Sequence, residues 1–422
     1  MKRSRYAIFY TKYGKFYIYH QLSKALIEVD TELYMALLNS QLEIIPNDIK
    51  EYLLDICILV DKRIEESDAV KVANYRCRYN TDYLRVTILP TLDCNFRCWY
   101  CYEEHKVSKM SKEGMSSIFE FIKREALLRS KKRIVLDWFG GEPLICFNNV
   151  IYPLSKQLRD WCHKHNICFH SMTTTNGSLL NENVALKMNE IGLTQFQITL
   201  DGGKEFHNKT RFSSTMKDSY SRIVKNIHII CRQICDSNVD LRINYTPENV
   251  QSLLPILDDF DHDVRHQIRI SPHVVWQNSD KIMSLVDIIK RFTDKALEKG
   301  YSTTTELNQT RCTSCYTENA DQYVINYDLS VYKCTARDFN EKFSIGKILL
   351  DGRFSPNGLY YKYLVEESPF CNEECLECEI LPSCLYATSC LQKKIEGRKP
   401  SCCKKFILDN IHGIIERKIS EL

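Results

Sequence analysis

The stretch from Tyr83 to about Gly300 alternates apolar, strand-like runs with helical segments six times. The predicted strands are Leu84–Pro90, Arg133–Phe139, Ile167–Thr174, Gln195–Leu200, Asp240–Tyr245 and Val264–Ile270. Between them, apolar residues recur at helical spacing, as from Met115 to Ile122. Strands that alternate with helices form a parallel sheet, so the fold class is α/β. Six units fall short of the eight that close a TIM barrel, so we predict a partial (β/α)6 barrel with its active site at the carboxyl ends of the strands.

The composition is that of an ordinary globular protein, with 44% hydrophobic and 26% charged residues. A chain of 422 residues is longer than one core normally supports, so we expect two or three domains. The net charge of +3 does not indicate a nucleic-acid partner. The basic start is followed by Lys12 and Lys15 instead of a signal peptide's apolar run, and no membrane-spanning stretch is found. We therefore expect a cytoplasmic protein without a membrane partner, in which the 20 cysteines are metal ligands or buried thiols.

The loop after the first strand places Cys94, Cys98 and Cys101 in a C-x3-C-x2-C spacing. A structural zinc site usually closes with four protein ligands, whereas a catalytic metal needs an open position. Cysteine thiolates are also the usual ligands of iron–sulfur clusters. The spacing alone leaves two interpretations, a zinc knuckle that lacks one ligand and a cluster with one open iron.

This loop resembles the cluster-binding motif of the radical SAM enzymes. In that family three cysteines hold three irons of a 4Fe-4S cluster, and S-adenosylmethionine (SAM) binds the fourth iron. Tyr100 holds the place of the family's aromatic residue before the third cysteine. The resemblance implies that Cys94, Cys98 and Cys101 hold the cluster that cleaves SAM and that Tyr100 contacts this cofactor.

A glycine-rich segment follows the second strand, with Gly140, Gly141, Glu142 and Pro143 in sequence. Adjacent glycines let a backbone approach a ligand closely, and proline stiffens the exit from the turn. In this place the segment resembles the family's GGEP motif, which binds the methionine amino group of SAM.

Polar residues also follow the third and fourth strands. Thr174 and Asn176 resemble the family's contacts to the SAM ribose, although a plain Asn-Gly turn is an alternative. Thr199 and Arg211 resemble the residues that hold the SAM ribose and carboxylate. The guanidinium of Arg211 suits a carboxylate because it donates two parallel hydrogen bonds, and the alternative is a solvated surface charge.

Cysteines cluster after Gly300, and their spacing resembles the SPASM domain, which binds two auxiliary iron–sulfur clusters. The resemblance implies one cluster held by Cys312, Cys315, Cys334 and Cys390. It implies a second held by Cys375, Cys378, Cys384 and one of Cys402 or Cys403. Interleaved zinc sites satisfy the same spacing.

The pattern departs from the SPASM domain in three places. Leu329 stands where that family usually has a glycine, the gap before Cys390 is longer than usual, and Cys312 and Cys315 lie closer together. The last departure leaves open whether one auxiliary iron lacks a protein ligand.

The first 82 residues predict a small α+β unit. The hairpin Tyr6–Thr11 and Phe16–Tyr19 precedes two predicted helices, Thr31–Leu38 and Asp48–Leu59, and Arg63–Glu66 reads as a returning strand. This layout resembles the winged-helix peptide-recognition domain of many peptide maturases, which adds a precursor's leader segment to a sheet edge. The alternative is a cap that only packs on the barrel.

The resemblance implies three domains: a peptide-recognition unit at 1–82, a radical SAM barrel at 83–300 and a SPASM domain at 301–422. It implies three 4Fe-4S clusters, SAM and a reductase, flavodoxin or ferredoxin as electron donor. SAM would be cleaved to a 5'-deoxyadenosyl radical that abstracts hydrogen from a ribosomally made precursor peptide with a leader segment. The expected product carries a thioether or carbon–carbon crosslink.

Two other functions remain. Sulfatase maturases have an aspartate after the cysteine that corresponds to Cys334, whereas this chain has Thr335. A non-catalytic iron–sulfur electron carrier would need no SAM motif, and the segment from Gly140 to Pro143 argues against it.

Overall fold

The computed structural model describes residues 1–79, 82–275, 277, 285–303, 315–336, 339–365, 370–384, 395–397 and 404–421. The chain forms two compact units. One consists of residues 1–81, 305–320 and 361–422, and the other of residues 82–304 and 321–360. Both ends of this sequence therefore belong to the same unit. In the described part of the chain, no helix has the length and apolar composition needed to span a membrane.

The N-terminal segment of the first unit folds as a small sheet with three helices. Its strands are β1 (Lys2–Arg3), β2 (Ala7–Lys12), β3 (Lys15–His20), β4 (Leu26–Val29) and β5 (Leu59–Val60), and its helices are α1 (Thr31–Leu38), α2 (Asn47–Asp55) and α3 (Glu66–Tyr79). Strands β2, β3 and β4 form an antiparallel meander, and β1 pairs with β5. The predicted hairpin and first helix are confirmed, whereas the second helix ends at Asp55 and Leu59, its predicted last residue, begins β5. The turn of the hairpin uses Tyr13 and Gly14, both with positive φ, as a two-residue hairpin connection requires.

The predicted strand at Arg63–Glu66 is wrong, because Glu66 begins α3 instead. Acidic residues occupy the first turn of α3 and basic residues the last, which suits the helix dipole. The helix buries polar side chains, among them Asn74 and Arg78. Arg78 donates hydrogen bonds to the backbone oxygens of Tyr363 and Leu364, at 3.2 and 2.9 Å.

The second unit contains the predicted parallel sheet. Its strands are β6 (Tyr83–Ile88), β7 (Arg97–Cys98), β8 (Arg133–Trp138), β9 (Cys168–Thr175), β10 (Leu193–Leu200), β11 (Arg211–Phe212), β12 (Asn238–Tyr245), β13 (Ile268–Val274), β14 (Ser302–Thr303), β15 (Gln322–Ile325), β16 (Ser330–Tyr332), β17 (Gly346–Ile348) and β18 (Phe354–Pro356). Its helices are α4 (Lys112–Leu128), α5 (Tyr152–Lys164), α6 (Glu182–Glu190), α7 (Lys204–Thr210), α8 (Ser219–Gln233) and α9 (Val286–Glu298). Helix α10 (Gly358–Val365) follows the last strand, and its residues from Tyr361 onward belong to the first unit.

Six strands, β6, β8, β9, β10, β12 and β13, lie side by side in parallel register, which confirms the α/β fold class. The last of them begins at Ile268 and not at the predicted Val264, because His262–Gln267 form a 3-10 helix. The short β14 extends the sheet beyond β13. On the other edge, β15 pairs in parallel with β6 and continues into the antiparallel strands β16, β17 and β18. The sheet therefore has 11 strands, and residues after 320 contribute four of them.

Leu329 closes the hairpin between β15 and β16 with φ at +69°. Its amide donates to the Asn326 oxygen at 2.9 Å, and its side chain is buried near Gly114 of α4. The residue that replaces the SPASM glycine therefore keeps a left-handed backbone and adds a core contact.

The C-terminal segment of the first unit contains α11 (Glu373–Leu376), α12 (Leu381–Cys384) and α13 (Lys404–Glu421). Ile411 and Ile415 of α13 pack with Ile8 of β2 and Tyr19 of β3. The Tyr10 hydroxyl of β2 donates to Glu416 at 2.6 Å. The hairpin and the C-terminal helix therefore share one core.

A buried polar cluster connects β1, β3 and α3 within the first unit. His20 is 1% exposed, and its ring nitrogens lie 3.1 Å from the Ser4 hydroxyl and 3.0 Å from the Ser23 hydroxyl. Ser4 also donates to the carboxylate of Glu66. Burial lowers the pKa of His20 to about 4, with a smaller contribution from the charge of Lys24.

This cluster predicts an acid sensitivity of the first unit. The unfolded chain binds a proton on His20 near pH 6.5, whereas the folded chain binds it only near pH 4, so stability is full above pH 6.5 and falls below it. We expect this residue to account for about 2 kcal/mol of destabilisation between pH 7 and pH 5. In urea unfolding, His20→Asn should flatten the pH dependence by that amount, and His262→Asn, at an exposed histidine, should leave it unchanged. An unchanged pH dependence in His20→Asn would contradict the assignment.

Candidate active site

The three predicted cluster cysteines lie on one loop at the carboxyl end of β6. Cys98 belongs to β7, whose two residues pair with β11, so that Cys98 lies opposite Arg211. The amide of Cys101 donates to the Cys98 oxygen at 3.1 Å, which closes a turn between these ligands. Cys94 is buried, and Cys98 and Cys101 are partly buried. The three cysteines therefore lie on one loop at the end of one strand, and their joint binding of a cluster stays a prediction.

The electrostatics of this loop favour neutral thiols in the protein alone. Burial raises the pKa of Cys94 to about 12 and also raises the pKa values of Cys98 and Cys101. Thiols of this kind become thiolates when a metal supplies compensating positive charge. Among the described residues, no three Cys, His, Asp or Glu side chains converge as a single-ion site does. Three thiols on one loop suit a cluster that leaves one iron to a small-molecule ligand.

The glycine pair after β8 packs against the backbone that leads into this loop. A Cβ atom on Gly140 would lie 2.3 Å from the Thr91 oxygen, and one on Gly141 would lie 2.3 Å from the Asp93 oxygen. The next amide, of Glu142, donates to the Asp93 oxygen at 2.8 Å. The two glycines are therefore required for the position of the cysteine loop, a role that the family motif did not reveal. Their contact with SAM stays a prediction.

Glu142 is fully buried and connects the ends of β8 and β9. Its carboxylate accepts hydrogen bonds from the Thr175 hydroxyl and the Asn176 amide, both at 2.7 Å, and from the Leu144 amide at 3.0 Å. Burial raises the pKa of Glu142, and these hydrogen bonds oppose the rise. Pro143 begins the short 3-10 helix that follows. Glu142 thus holds the segment in which the ribose contacts were predicted.

The two predicted ribose contacts on the third strand differ in their surroundings. Asn176 donates to the Asn95 side chain at 2.8 Å, and its amide nitrogen lies 4.0 Å from the Cys94 sulfur. Thr174 is partly buried. The next residue, Gly177, has φ at +77°, so an Asn-Gly turn is present beside the cysteine loop.

The hydroxyl of Tyr100 joins four side chains into one network. It donates to Asp201, whose carboxylate oxygens lie 2.7 and 2.9 Å away, and it accepts from Arg211 at 2.8 Å and from Asn244 at 3.0 Å. Burial raises the pKa of Asp201, and the charge of Arg211 opposes the rise. Tyr100 and Arg211 were predicted as site residues from the sequence, whereas Asp201 and Asn244 were not. Both missed residues are polar and lie at the carboxyl end of a barrel strand, Asp201 directly after β10 and Asn244 near the end of β12, and this position could have indicated them.

Arg211 is 9% exposed, so its interpretation as a solvated surface charge is wrong. Its Nη1 donates to Tyr100, whereas its buried Nε–H has no hydrogen-bond partner among the described residues. An unused donor on a buried guanidinium fits the predicted binding of a carboxylate. Thr199, the other residue assigned to SAM on the fourth strand, is 8% exposed at the end of β10.

A cavity of about 400 Å³ lies beside the Tyr100 network. Its lining includes Trp99 of the cysteine loop, Phe206 of α7, and Asp201 and Asn244 of the network. Trp99 is 58% exposed, although it is the largest apolar side chain of the loop. The cavity combines aromatic rings with hydrogen-bonding groups at the edge of the three-cysteine loop.

The described C-terminal cysteines fall in both units. Cys375, Cys378 and Cys384 lie in the first unit on α11, α12 and the turn between them, and each is partly buried. Cys315 also belongs to the first unit, and Cys334 belongs to the second. The other predicted ligands, Cys312, Cys390, Cys402 and Cys403, lie outside the described residues.

Comparison with known families identifies the barrel. Residues 88–260 match the sequence model of the Radical SAM superfamily. Residues 88–260 therefore form a radical SAM domain. The match includes the cysteine loop, the glycine pair and the Tyr100 network, and it confirms the resemblance on which the site was predicted.

The chain is similar in sequence to enzymes of several activities, among them an Fe-coproporphyrin III synthase of Methanosarcina barkeri, 23% identical over 56% of this chain and 58% of that protein, and a GTP 3',8-cyclase of Clostridium perfringens, 30% identical over 43% and 49%. It is 28% identical over 156 residues to the cysteine-type anaerobic sulfatase-maturating enzyme of Clostridium novyi, which covers 36% of this chain and 41% of that protein. The present chain spans about half the length of the curated relatives that it matches.

Two solved structures share the radical SAM fold. The structure of anSMEcpe with bound AdoMet and Cp18Cys peptide superimposes with a TM-score of 0.60, covering 80% of this chain and 99% of that one at 17% identity. Streptococcus suis SuiB bound to its precursor peptide SuiA gives a TM-score of 0.50, covering 93% and 96% at 15% identity. These similarities extend the likeness in fold beyond residues 88–260.

The glycine contacts give a direct test of the loop's position. Gly141→Ala would force a methyl group into the backbone oxygens of Leu92 and Asp93, which no side-chain rotation relieves. We expect a loss of about 3 kcal/mol in unfolding free energy and a lower iron content after anaerobic reconstitution. Gly358→Ala is the matched control, because a Cβ atom there meets no atom within 4 Å, and it should retain the wild-type unfolding free energy and iron content. Wild-type stability in Gly141→Ala would show that the close approach is not maintained in solution.

Proposed function

We propose that this protein is a radical SAM maturase that modifies a ribosomally made peptide. The observation that carries the proposal is that the three-cysteine loop, the glycine pair and the Tyr100 network lie together at the carboxyl ends of the barrel strands. This is where a partial barrel places its active site. The cytoplasmic location predicted from the sequence is part of the proposal.

Cys94, Cys98 and Cys101 would hold the 4Fe-4S cluster, and SAM would occupy the open iron. When bound, this pair supplies a 5'-deoxyadenosyl radical that removes a hydrogen atom from the substrate. Arg211 has a free donor for the carboxylate of SAM, and the cavity beside Tyr100 provides aromatic and polar surfaces for its nucleoside. The roles of Gly140, Gly141, Glu142, Pro143, Thr174, Asn176 and Thr199 in SAM binding belong to the same proposal.

The chain's own residues would position and shield the reaction. The Tyr100 hydroxyl holds the loop over β10 and β12 through Asp201 and Asn244, which limits motion of the cluster ligands. The fully buried ring of Phe96 places aromatic surface two residues before Cys98 in the sequence. Such surface limits access of water to a reactive site, and fixed positions align the reacting atoms.

The peptide substrate is proposed from the relatives and from the N-terminal unit. SuiB is described with a precursor peptide and anSMEcpe with a short peptide, so the shared fold accommodates peptides in both. In this chain β2 and β4 are the outer strands of the three-stranded meander, and an outer strand can pair with an extended peptide. We propose that the leader segment binds there and that a thioether or carbon–carbon crosslink forms in the core peptide.

Leader binding cannot be tested by deleting the N-terminal segment, because this segment shares a core with the C-terminal helix. Deletion of residues 1 to 82 would remove the strands on which α13 packs, so it would disrupt the whole unit. Binding of the intact enzyme to a synthetic leader peptide is the suitable measurement. The candidate sequences are short open reading frames encoded beside the gene for this chain.

Sulfatase maturation is the second candidate, because the C. novyi relative carries that name. The residue that follows Cys334 argues against it. Thr335 cannot supply the carboxylate found at this position in such maturases, and its backbone oxygen accepts a hydrogen bond from the Tyr102 hydroxyl at 2.7 Å. The third candidate is an iron–sulfur electron carrier without catalytic activity. Such a protein binds no SAM, so the unpaired Nε–H of Arg211 and the cavity beside the Tyr100 network would have no ligand, which argues against it.

The number and roles of the clusters are tested by one set of variants. We expect about twelve iron atoms per chain after anaerobic reconstitution, in one SAM-binding and two auxiliary clusters. Replacing Cys94, Cys98 and Cys101 by alanine should abolish 5'-deoxyadenosine formation from SAM with a chemical reductant while about two thirds of the iron remains. Cys231→Ala, at a buried cysteine of α8, is the control and should retain iron and turnover.

Two outcomes would contradict this account. SAM cleavage that survives in the triple variant would refute the assignment of the catalytic cluster. A metal analysis that finds stoichiometric zinc and little iron at the C-terminal cysteines would show that this region forms structural zinc sites.

A further inference from the structure

The barrel sheet has one face toward its helices and an opposite face that carries charged side chains. Trp138 marks the helix side, because its indole donates to Ser155 of α5 at 3.2 Å. Its neighbour Asp137 therefore lies on the opposite face. The strand register places Arg85, Asp240, Arg242 and Arg269 on that face too, since each strand alternates between the two sides.

Two of these three arginines are neutralised by aspartates on the same face. Arg85 Nε lies 2.5 Å from Asp137, and Arg269 Nε lies 3.3 Å from Asp240. In the part of the chain that the structure describes, no carboxylate lies within 4 Å of Arg242. The Nε–H of Arg242 donates to the neutral side chain of Asn244 at 3.0 Å. The face therefore has one positive charge that is not neutralised by an ion pair.

Arg242 lies on the same strand and the same face of the sheet as Asn244 of the Tyr100 network. In the sheet it stands between Thr199 of β10 and Ser271 of β13. Two residues further along β12, the Asn244 amide reaches the Tyr100 hydroxyl of the cysteine loop. Residues two apart on a strand are separated by about 7 Å on the same face. The guanidinium is partly buried and lies one layer deeper than the Tyr100 network.

The other groups around Arg242 are neutral or already form an ion pair with another arginine. The nearby His273 is a neutral imidazole at neutral pH, because burial and the charge of Arg242 lower its pKa to about 4. Thr199 and Ser271 are uncharged. Burial raises the pKa of Asp201 and the charge of Arg242 opposes the rise, but the ion-pair partner of Asp201 is Arg211, at 3.9 Å. A partly buried guanidinium in such surroundings favours an anionic ligand with two oxygens, because its planar fork donates parallel hydrogen bonds.

We propose that Arg242 binds a carboxylate inside the barrel, and that this carboxylate is an acidic side chain of the peptide substrate. The proposal rests on the proposed peptide function. The other source of the same chemistry is the carboxylate of SAM. We favour the peptide because Arg211, with its free donor, lies at the cysteine loop itself, whereas Arg242 lies one layer deeper. Arg242 would thus determine which peptide sequences place a reactive carbon in line with the radical.

The test uses the reconstituted full chain with SAM and two small probes. The probes are N-acetylglutamate methylamide and its neutral isostere N-acetylglutamine methylamide, whose binding is measured by calorimetry. We expect the wild type to prefer the carboxylate probe at least tenfold, as a charge-assisted hydrogen bond implies. Arg242→Gln should remove this preference, and Arg242→Lys should retain part of it because it keeps the charge without the fork. Arg222→Gln, at an exposed position of α8, should match the wild type.

The outcomes separate this inference from the proposed function. Uncoupled 5'-deoxyadenosine formation, measured on the same samples, reports on the radical SAM site and should persist in Arg242→Gln with an unchanged KM for SAM. A tenfold higher KM for SAM in that variant would assign the carboxylate to SAM and overturn the peptide source. Equal binding of the two probes to the wild type, or a preference that survives in Arg242→Gln, would overturn the carboxylate site.

Discussion

The active site depends on the close contact between the turn after β8 and the backbone that leads from β6 to Cys94. Gly140 and Gly141 approach the oxygens of Thr91 and Asp93 more closely than any side chain permits. The next residue, Glu142, then fixes the end of β9 through three hydrogen bonds to its carboxylate. Three neighbouring strand ends are thereby held together by contacts within the protein. The thiols occupy their places because the backbone around them is already fixed.

The Tyr100 network extends this arrangement across the barrel to β10 and β12. A buried aspartate and a buried arginine are costly to desolvate unless they are paired and hydrogen bonded. Here one hydroxyl serves Asp201, Arg211 and Asn244 together. Removing any member leaves a buried polar group unsatisfied, so the four residues are expected to act as a unit. This coupling places Arg211 beside Cys98 and leaves one of its donors for a ligand.

The sequence predicted what local periodicity and motif order can express. The six barrel strands follow from apolar runs, and the cysteine loop follows from its spacing. Helix α3 was missed because it buries polar residues such as Asn74 and Arg78, which leave no apolar stripe to detect. The pairing of β15 with β6 joins residues more than two hundred positions apart, which no local pattern contains. Asp201 and Asn244 were missed for the same reason, since their partner lies on another loop.

The most direct test of the central claim is electron–nuclear double resonance on the reduced enzyme with SAM that carries ¹⁵N in its amino group. We predict a ¹⁵N coupling to a 4Fe-4S cluster in the wild type, because a cluster held by Cys94, Cys98 and Cys101 would have one iron open for this ligand. The coupling should disappear when these three cysteines are replaced, while signals of other clusters remain. A cluster signal without ¹⁵N coupling in the wild type would contradict the account.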